Sequence, residues 1–349
     1  MTTYYRAKIE KIVSENTTNI SGAPTPVQQL LVKISDPAGK ISEVTVRHGQ
    51  LYTISNDEKL TEGQSVIVSS SDGPEGLVYN VYDVDRSTPL LLLCGLFIGI
   101  VVWLTRKRGV GAIIGLAITL ATLTYLIVPL VVKGYSPTLV SLGGALIIAS
   151  TSLFLAHGFK KTTFLAWVST IATLLIATGL AALSIYVLRM TGSASEETLY
   201  LTMGGFEHIE LKGLLLGGMI IGTLGVLDDV TTAQVSAVVE LKNANKNITK
   251  KQLMHHAMQI GKEHILAVVN TLILAYAGGS LPLFIIFTVT GDIPVWVLLN
   301  GEMLVEEIVR TLVGSIALIL AVPITTILAV HYIHKISDPE LLVAGLHKH

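Results

Sequence analysis

The chain has 349 residues, of which 51% are hydrophobic and 14% are charged, and its formal net charge is -1 at pH 7. Soluble domains carry roughly 25% charged residues, so this composition excludes an ordinary water-soluble enzyme and also a disordered chain. The charge balance provides no basic field for nucleic acid. The single cysteine, Cys94, excludes an intrachain disulfide and a cysteine-based metal site.

The first 88 residues differ from the rest in charge and in pattern. They hold 8 Lys and Arg and 11 Asp and Glu, whereas the other 261 residues hold 16 and 14. Short segments rich in alternating apolar and β-branched residues, separated by Gly, Pro and Asp, are typical of β-strands and turns. We predict a small β-barrel or β-sandwich over residues 1–88, with about five strands. These lie at 4–13, 27–34, 41–46, 66–68 and 77–84, with a turn at 36–40.

The remaining residues, 89–349, contain long apolar runs. A bilayer core of ~30 Å needs about 20 apolar helical residues for each crossing. Seven runs approach or exceed this length, and they lie at 89–104, 110–132, 138–157, 163–188, 213–238, 264–289 and 309–333. The predicted fold class is therefore an α-helical polytopic membrane protein, with about seven transmembrane helices and a small N-terminal β domain.

Basic residues predict the orientation of these spans. They follow the first, third, fifth and seventh runs, in clusters at 106–108, 160–161, 242–262 and 335–348. By the positive-inside rule this side is cytoplasmic, so we expect residues 1–88 outside and the C-terminus inside. Residues 1–12 contain no signal-peptide apolar segment, and we expect a signal or anchor helix ahead of Met1.

Residues 249–262 are predicted to form an amphipathic cytoplasmic helix. Thr249 is suited to the N-cap, and apolar side chains from Leu253 to Ile260 share one helical stripe. Such a helix either lies on the membrane surface or acts as a gate or coupling element.

Small residues at a spacing of four recur in the apolar runs. Gly95 and Gly99 lie in the first run, Gly111 and Gly115 in the second, and Gly218 and Gly222 in the fifth. This pattern allows helix backbones to approach closely, so we expect close helix packing at these three places.

Two adjacent aspartates, Asp228 and Asp229, interrupt the fifth apolar run. An ionised carboxylate at bilayer depth costs roughly 2.5–3.5 kcal/mol on insertion scales, so the pair needs water, a proton, a cation or an ion-pair partner. Adjacent residues diverge by ~100° around a helix, and we expect a local break at Gly225 to turn both carboxylates to one site. Thr232 and Gln234 add oxygen atoms and complete a candidate site for a hard cation or a proton relay. The alternative is that the aspartates mark an early cytoplasmic end of the helix.

A second polar cluster comprises Asp292, Glu302, Glu306, Glu307 and Arg310. On a helix Arg310 is close enough to pair with Glu306, four residues away, or with Glu307, three residues away. One neutralising pair leaves at least two carboxylates unexplained. Glu302, Glu306 and Arg310 are therefore candidate ion- or substrate-binding residues.

The sixth run contains two further candidates. Asn270 and Thr271 lie in its middle, where they either bond a neighbouring helix or contact a substrate. The sequence GGSLP at 278–282 breaks the helix, and the carbonyls that it frees are tolerated only inside protein or next to a cavity. The segment 282–300 is either re-entrant or a separate crossing, and the sequence leaves both open.

Three stretches of sequence resemble the YibE/F-like family of bacterial membrane proteins. They are GTLGVLDDV at 222–230, NTLILAYAGGSLPL at 270–283, and EIVRTLVGSI at 307–316 with AVPIT at 321–325. The resemblance covers nearly the whole chain and implies a multi-pass protein of the bacterial cytoplasmic membrane, but it implies little about activity. It implies one acidic residue in the aspartate motif, which is Asp229, with Asp228 as an addition. It also implies an anchor helix ahead of the β domain.

Three functions are compatible with these features. The first is a secondary transporter coupled to a proton or cation, in which the carboxylates bind the ion and Asn270 and Thr271 contact a small solute. The alternative is a membrane receptor or assembly scaffold whose outer β domain binds a ligand or partner. The third is an intramembrane protease, because Glu306, Glu307 and Arg310 resemble the EExxxR motif of membrane glutamate proteases, with one residue fewer before the arginine.

The expected partners are the lipid bilayer and a small solute or ion. The chain has no GxxxxGK motif followed by Ser or Thr, so we expect no ATP hydrolysis by this chain, and we expect no cofactor and no nucleic acid. A metal ion and a homo-oligomer are both left open.

Overall fold

The computed structural model describes residues 2–20, 23–35, 41–49, 54–73, 76–289 and 293–335. The chain divides into two compact units, Met1–Ile100 and Val101–His349. The predicted turn at 36–40, Asp292 of the second polar cluster and Lys348 of the last basic cluster lie outside the described residues.

The N-terminal unit contains a five-stranded closed barrel. The strands pair in the order β1-β2-β3-β5-β4, and β1 pairs with β4 to close the barrel. Inward-facing side chains alternate along the strands, as Leu30, Val32 and Ile34 do on β2, and they form the core of the barrel. The predicted β domain is confirmed, as a barrel and not as a sandwich. Its strands are β1 Thr3–Ile20, β2 Ala23–Ser35, β3 Ile41–His48, β4 Ser65–Gly73 and β5 Gly76–Val84.

Seven helical spans in the described part of the chain are long and apolar enough to cross a membrane. This confirms the predicted fold class. The second span is α2 and α3 joined by a π-helical segment, Thr122–Ile127. The spans are α1 Ser87–Thr105, α2 Lys107–Ala121 with α3 Val128–Val132, α4 Pro137–His157, α5 Lys161–Val187, α7 Leu211–Ala244, α8 Lys250–Gly279 and α11 Glu302–Ile333.

Three short helices lie between the spans. They are α6 Glu196–Met203, α9 Leu281–Val289 and α10 Val295–Leu299. A crossing needs about 20 helical residues, so neither α9 nor α10 spans a bilayer. The described part of 282–300 therefore contains no separate crossing.

The core of the second unit lies between α4, α5, α7 and α11. Helices α5, α7 and α11 pack against one another, and α8 packs against α7 and α11. Leu174 on α5, Leu227 on α7 and Leu318 on α11 are fully buried in one apolar cluster. Because each of these three helices packs against the other two, the polar side chains on their buried faces lie close together inside the bundle.

The helices of this unit have two distinct ends. One end has a cavity that is lined by the start of α2, the end of α4, the start of α5 and part of α7. At the same end, Lys250 Nζ at the start of α8 lies 3.3 Å from His331 Nδ1 near the end of α11. We call this the basic end. At the other end, Glu302 at the start of α11 contacts Thr191 after α5; we call it the acidic end.

The sixth span begins earlier than predicted. Thr249 caps α8 as expected and accepts a hydrogen bond from the backbone N–H of Gln252. However, residues 249–262 do not form a separate surface helix, because α8 continues without interruption to Gly279. Leu253 and Ala257 of the predicted stripe are buried against α7 and α11, whereas Ile260 is exposed.

The glycine spacing predicts close helix packing correctly in one of the three places. A Cβ on Gly111 would overlap the carbonyl of Leu155, and one on Gly115 would lie 3.4 Å from the Cα of Ser152, so α2 packs closely on α4. A Cβ on Gly95, Gly99 or Gly218 would meet nothing within 4 Å in the described part of the chain, and one on Gly222 would meet only the Tyr276 hydroxyl, at 3.3 Å. The close backbone packing predicted at Gly95, Gly99 and Gly218 is therefore wrong.

Candidate functional site

Helix α7 carries both aspartates without a break. It is continuous from Leu211 to Ala244, so the predicted break at Gly225 is wrong. Asp228 is half-buried and Asp229 is exposed, as the ~100° step between adjacent helical residues requires. Both aspartates nevertheless line one cavity of about 390 Å³.

We call this the aspartate cavity. Besides the two aspartates, it is lined by Ser152 and His157 on α4 and by Arg108 at the start of α2. The Oδ1 atom of Asp228 is buried and has no hydrogen-bond partner in the described part of the chain. The cavity therefore contains a carboxylate oxygen that is free to accept a proton, a cation or a donor from a ligand.

A second cavity of about 270 Å³ adjoins the first and shares Arg108 and His157 with it. We call this the basic cavity. The Oγ1 atom of Thr232 is buried and has no partner in the described part of the chain. The other polar residues of its lining are Lys160, Thr162, Thr163, Ser236 and Glu240.

Residues of α2, α4 and α7 line both cavities, and residues of α5 also line the basic cavity. Ser152 is only five residues before the end of α4, yet it lines the same cavity as Asp228. On the other side of α7, Thr231 bonds Thr170 at 2.8 Å, and Thr170 lies about 13 Å along α5 from its first residue. Trp167 Nε1 on α5 donates a hydrogen bond to Ser150 Oγ on α4 at 3.0 Å, six and seven residues from the ends that the connection joins, so α4 and α5 end near the same level.

Gln234 lies on the opposite, core-facing side of α7. Its side chain is 3% exposed and donates hydrogen bonds to the carbonyl of Ala257 on α8 and to Thr326 Oγ1 on α11, at 2.9 and 2.7 Å. The structure separates Gln234 from the aspartates and Thr232. Its amide joins three helices, which is a packing role.

Asn270 and Thr271 lie on the exposed surface of α8, away from both cavities. Thr271 Oγ1 donates to the carbonyl of Ala267 in its own helix, at 3.0 Å. The structure therefore does not bring these two residues to the aspartates.

Glu302 holds the loop after α5 at the acidic end. Its carboxylate accepts hydrogen bonds from the backbone N–H and the hydroxyl of Thr191 and from the backbone N–H of Gly192. Gly192 has φ +74° and lies against the backbone of Leu211, so a side chain there would be strained and would also collide. Glu302 thus links α11 to the connection between α5 and α7.

Glu306 lies one turn further into the bundle. It is 7% exposed, and its Oε1 atom has no hydrogen-bond partner in the described part of the chain. Arg310 NH1 pairs with Glu307 at 2.7 Å, which confirms the predicted neutralising pair three residues apart. Glu306 is therefore a buried carboxylate that this ion pair does not neutralise.

No group of three or more His, Cys, Asp or Glu residues in the described part of the chain could hold a metal ion. The aspartate and basic cavities also include residues that sequence reasoning did not assign to a site, among them Arg108, His157 and Lys160. In the sequence they are ordinary charged or polar residues at helix ends. Only their convergence from α2, α4 and the start of α5 singles them out.

Comparison with known proteins identifies the family but not an activity. No curated protein and no solved structure matches the chain. The family described as YibE/F-like protein matches residues 93–335, which include every helical span except the first few residues of α1. With its seven apolar helices, this chain is a multi-pass membrane protein that belongs to the YibE/F-like family.

Proposed function

We propose that the protein is a secondary transporter in which movement of a small solute is coupled to a proton or a cation. The observation that carries the proposal is Asp228, which lines a cavity at the basic end and has a buried carboxylate oxygen without a partner in the described part of the chain. A buried, unpaired carboxylate oxygen is costly, and a bound proton or cation removes that cost.

A second carboxylate at the acidic end supports the proposal. Glu306 is buried one turn inside that end, beside the Glu307–Arg310 pair. An alternating-access carrier must expose its ion site to each side in turn. Asp228 and Glu306 are suited to bind the coupling ion near the basic and the acidic end respectively.

Buried hydroxyl groups lie between these two carboxylates. Gln234 on α7 contacts Thr326 on α11, and the two helices run in the same direction. Thr223 lies eleven residues before Gln234 and Ser315 lies eleven residues before Thr326, so these two hydroxyls are at the same level of the bundle. Both are buried, and Ser315 Oγ has no partner in the described part of the chain. These oxygens offer intermediate positions for a proton or a small cation on its way through the bundle.

The orientation follows from charge. The basic residues at 106–108, 160–161, 242–251 and 335 lie at the basic end, so the positive-inside rule assigns this end to the cytoplasm of a bacterial cell. In this arrangement the aspartate cavity faces the cytoplasm and the N-terminal barrel lies outside.

Proton flux into proteoliposomes tests the coupling. The full chain is reconstituted with an internal pH dye, and inorganic phosphate, glycine or glutamate is added under an imposed membrane potential. We expect at least one of these solutes to drive proton flux in the wild-type protein. Asp228→Asn should reduce that flux to background, because an amide cannot bind the proton or cation, and Asp229→Asn should weaken it.

The matched control is Glu263→Gln, which neutralises an exposed carboxylate on α8 outside both cavities and should leave the flux unchanged. Elution of each variant as a single species on size exclusion establishes folding. Wild-type flux in both aspartate variants would refute the proposed role of the aspartate cavity.

A receptor or scaffold is the second candidate, and the barrel contains the feature that favours it. A cavity of about 520 Å³ on the N-terminal unit is lined by charged side chains of both signs, including Asp57, Lys59, Asp83 and Arg86. A hydrogen bond from Arg86 holds the pKa of the Asp83 carboxyl below its ordinary value. Saturable binding of a solute that Asp83→Asn abolishes, with no flux in the proteoliposomes, would favour this function over transport.

A further inference from the structure

The lining of the basic cavity contains two positive charges that form no ion pair with a carboxylate in the described part of the chain. Arg108 is at the start of α2 and Lys160 is the N-cap residue of α5, and the two line the same cavity. Neither makes an ion pair within 4.0 Å with a carboxylate in the described part of the chain. Glu240 is the one carboxylate of this lining, so two fixed cations face one fixed anion in it even with His157 neutral. Arg108 also lines the aspartate cavity, which contains Asp228 and Asp229.

Hydrogen-bond donors face the same space. Thr162, Thr163 and Ser236 line it together with Thr232, whose buried Oγ1 atom has no partner in the described part of the chain. Lys160 makes no side-chain cap, so the first backbone N–H groups of the 27-residue α5 are left without that partner. Cations, hydroxyls and helix N-terminal N–H groups are the donors that bind carboxylate and phosphate oxygens.

We infer that the basic cavity binds an oxyanion group, a phosphate or a carboxylate, with Arg108, Lys160 and His157 as its charged or polar ligands. The Asp228 site adjoins it through the shared Arg108 and His157, so the oxyanion belongs to the solute that the carrier moves. This last step rests on the proposed transport function, whereas the oxyanion site itself does not. An anionic lipid headgroup presents the same chemistry at the end of a membrane helix.

Titration of the full chain with inorganic phosphate, in detergent freed of phospholipid, tests the site. We expect saturable binding, weakened about ten-fold by Arg108→Gln and by Lys160→Gln, because each removes a charge-assisted hydrogen bond. Lys107→Gln and Lys161→Gln are matched controls. Each removes an exposed neighbouring cation at the same end that does not line the cavity, and each should leave the affinity unchanged. Arg108→Lys should restore part of the affinity and shows that a loss reflects charge and not misfolding.

The source of the oxyanion is tested in nanodiscs that contain phosphatidylglycerol. If free phosphate does not bind but Arg108→Gln and Lys160→Gln retain less phosphatidylglycerol than their controls, the cavity holds a headgroup and its link to a solute is withdrawn. If neither probe binds, or if all four glutamine variants weaken binding equally, the oxyanion site is refuted. Asp228→Asn should abolish proton flux and keep phosphate binding, so a failure of transport and a failure of this site give different results.

Discussion

Polar residues of α7 fall on two faces with different partners. Thr231 and Gln234 are buried against α5, α8 and α11, where they make hydrogen bonds between helices. Asp229 and Thr232 face the two cavities at the basic end. The residue types alone suggested one shared ion site, but the rotation of the helix distributes them between a packing role and a solvent-accessible role.

The packing role of Gln234 predicts a stability effect. Gln234→Leu removes two interhelical hydrogen bonds at nearly constant volume, and we expect it to lower the free energy of unfolding by about 1 kcal/mol. Thermal unfolding of the detergent-solubilised chain measures this change. Proton flux should persist in the folded variant. A Gln234→Leu protein with full stability and no flux would instead identify Gln234 as a ligand.

A charged segment in α8 led hydropathy to predict the start of the sixth span too late in the sequence. Lys262, Glu263 and His264 lower its apolar character, which suggested a surface helix followed by a separate span. No Gly–Pro pair separates the two halves, and Lys262 and Glu263 are exposed, so the capped helix continues through them. Gly261 lies on the packed side, where a Cβ would overlap Val322 and lie 3.0 Å from Gln234 Oε1.

This close approach predicts that Gly261→Ala destabilises the bundle. The added methyl group must displace Val322 or Gln234, and overpacking of this kind costs typically 1–3 kcal/mol. Gly225→Ala on α7 is the matched control. Its Cβ meets nothing within 4 Å in the described part of the chain, and Ala favours a helix over Gly by about 1 kcal/mol. Equal melting temperatures for the two variants would show that α8 does not pack here.

At the scale of the whole molecule, the distribution of charge predicts the orientation in the membrane, and this prediction does not depend on how the helices pack. The basic clusters meet at one end of the helical unit because the spans alternate in direction, and the N-terminal barrel has its own core of alternating apolar residues. The match to the YibE/F-like family over residues 93–335 identifies the family of the protein but gives no substrate. The orientation in the membrane is therefore a prediction of electrostatics.

Cysteine labelling tests that orientation in the full chain. In a Cys94→Ser background, Thr18→Cys on the barrel and Glu197→Cys on α6 place exposed thiols outside the cell in the predicted orientation, and Lys246→Cys places one inside. A membrane-impermeant maleimide should label the first two in intact cells and the third only after permeabilisation. The reverse pattern would show that the protein has the opposite orientation, with the aspartate cavity facing the outside of the cell.

The sequence by itself determined the class of protein, the number of spans and of strands, and the N-cap at Thr249, because these depend on local length, alternation and side-chain chemistry. It also pointed to Asp228 and Asp229, since carboxylates are costly in an apolar run. Only the tertiary structure decided that Gln234 joins helices, that Glu302 holds a loop, and that Arg108, His157 and Lys160 converge. Those assignments depend on where each helix ends and which face it turns to its neighbours, and these are properties of packing between elements far apart in the chain.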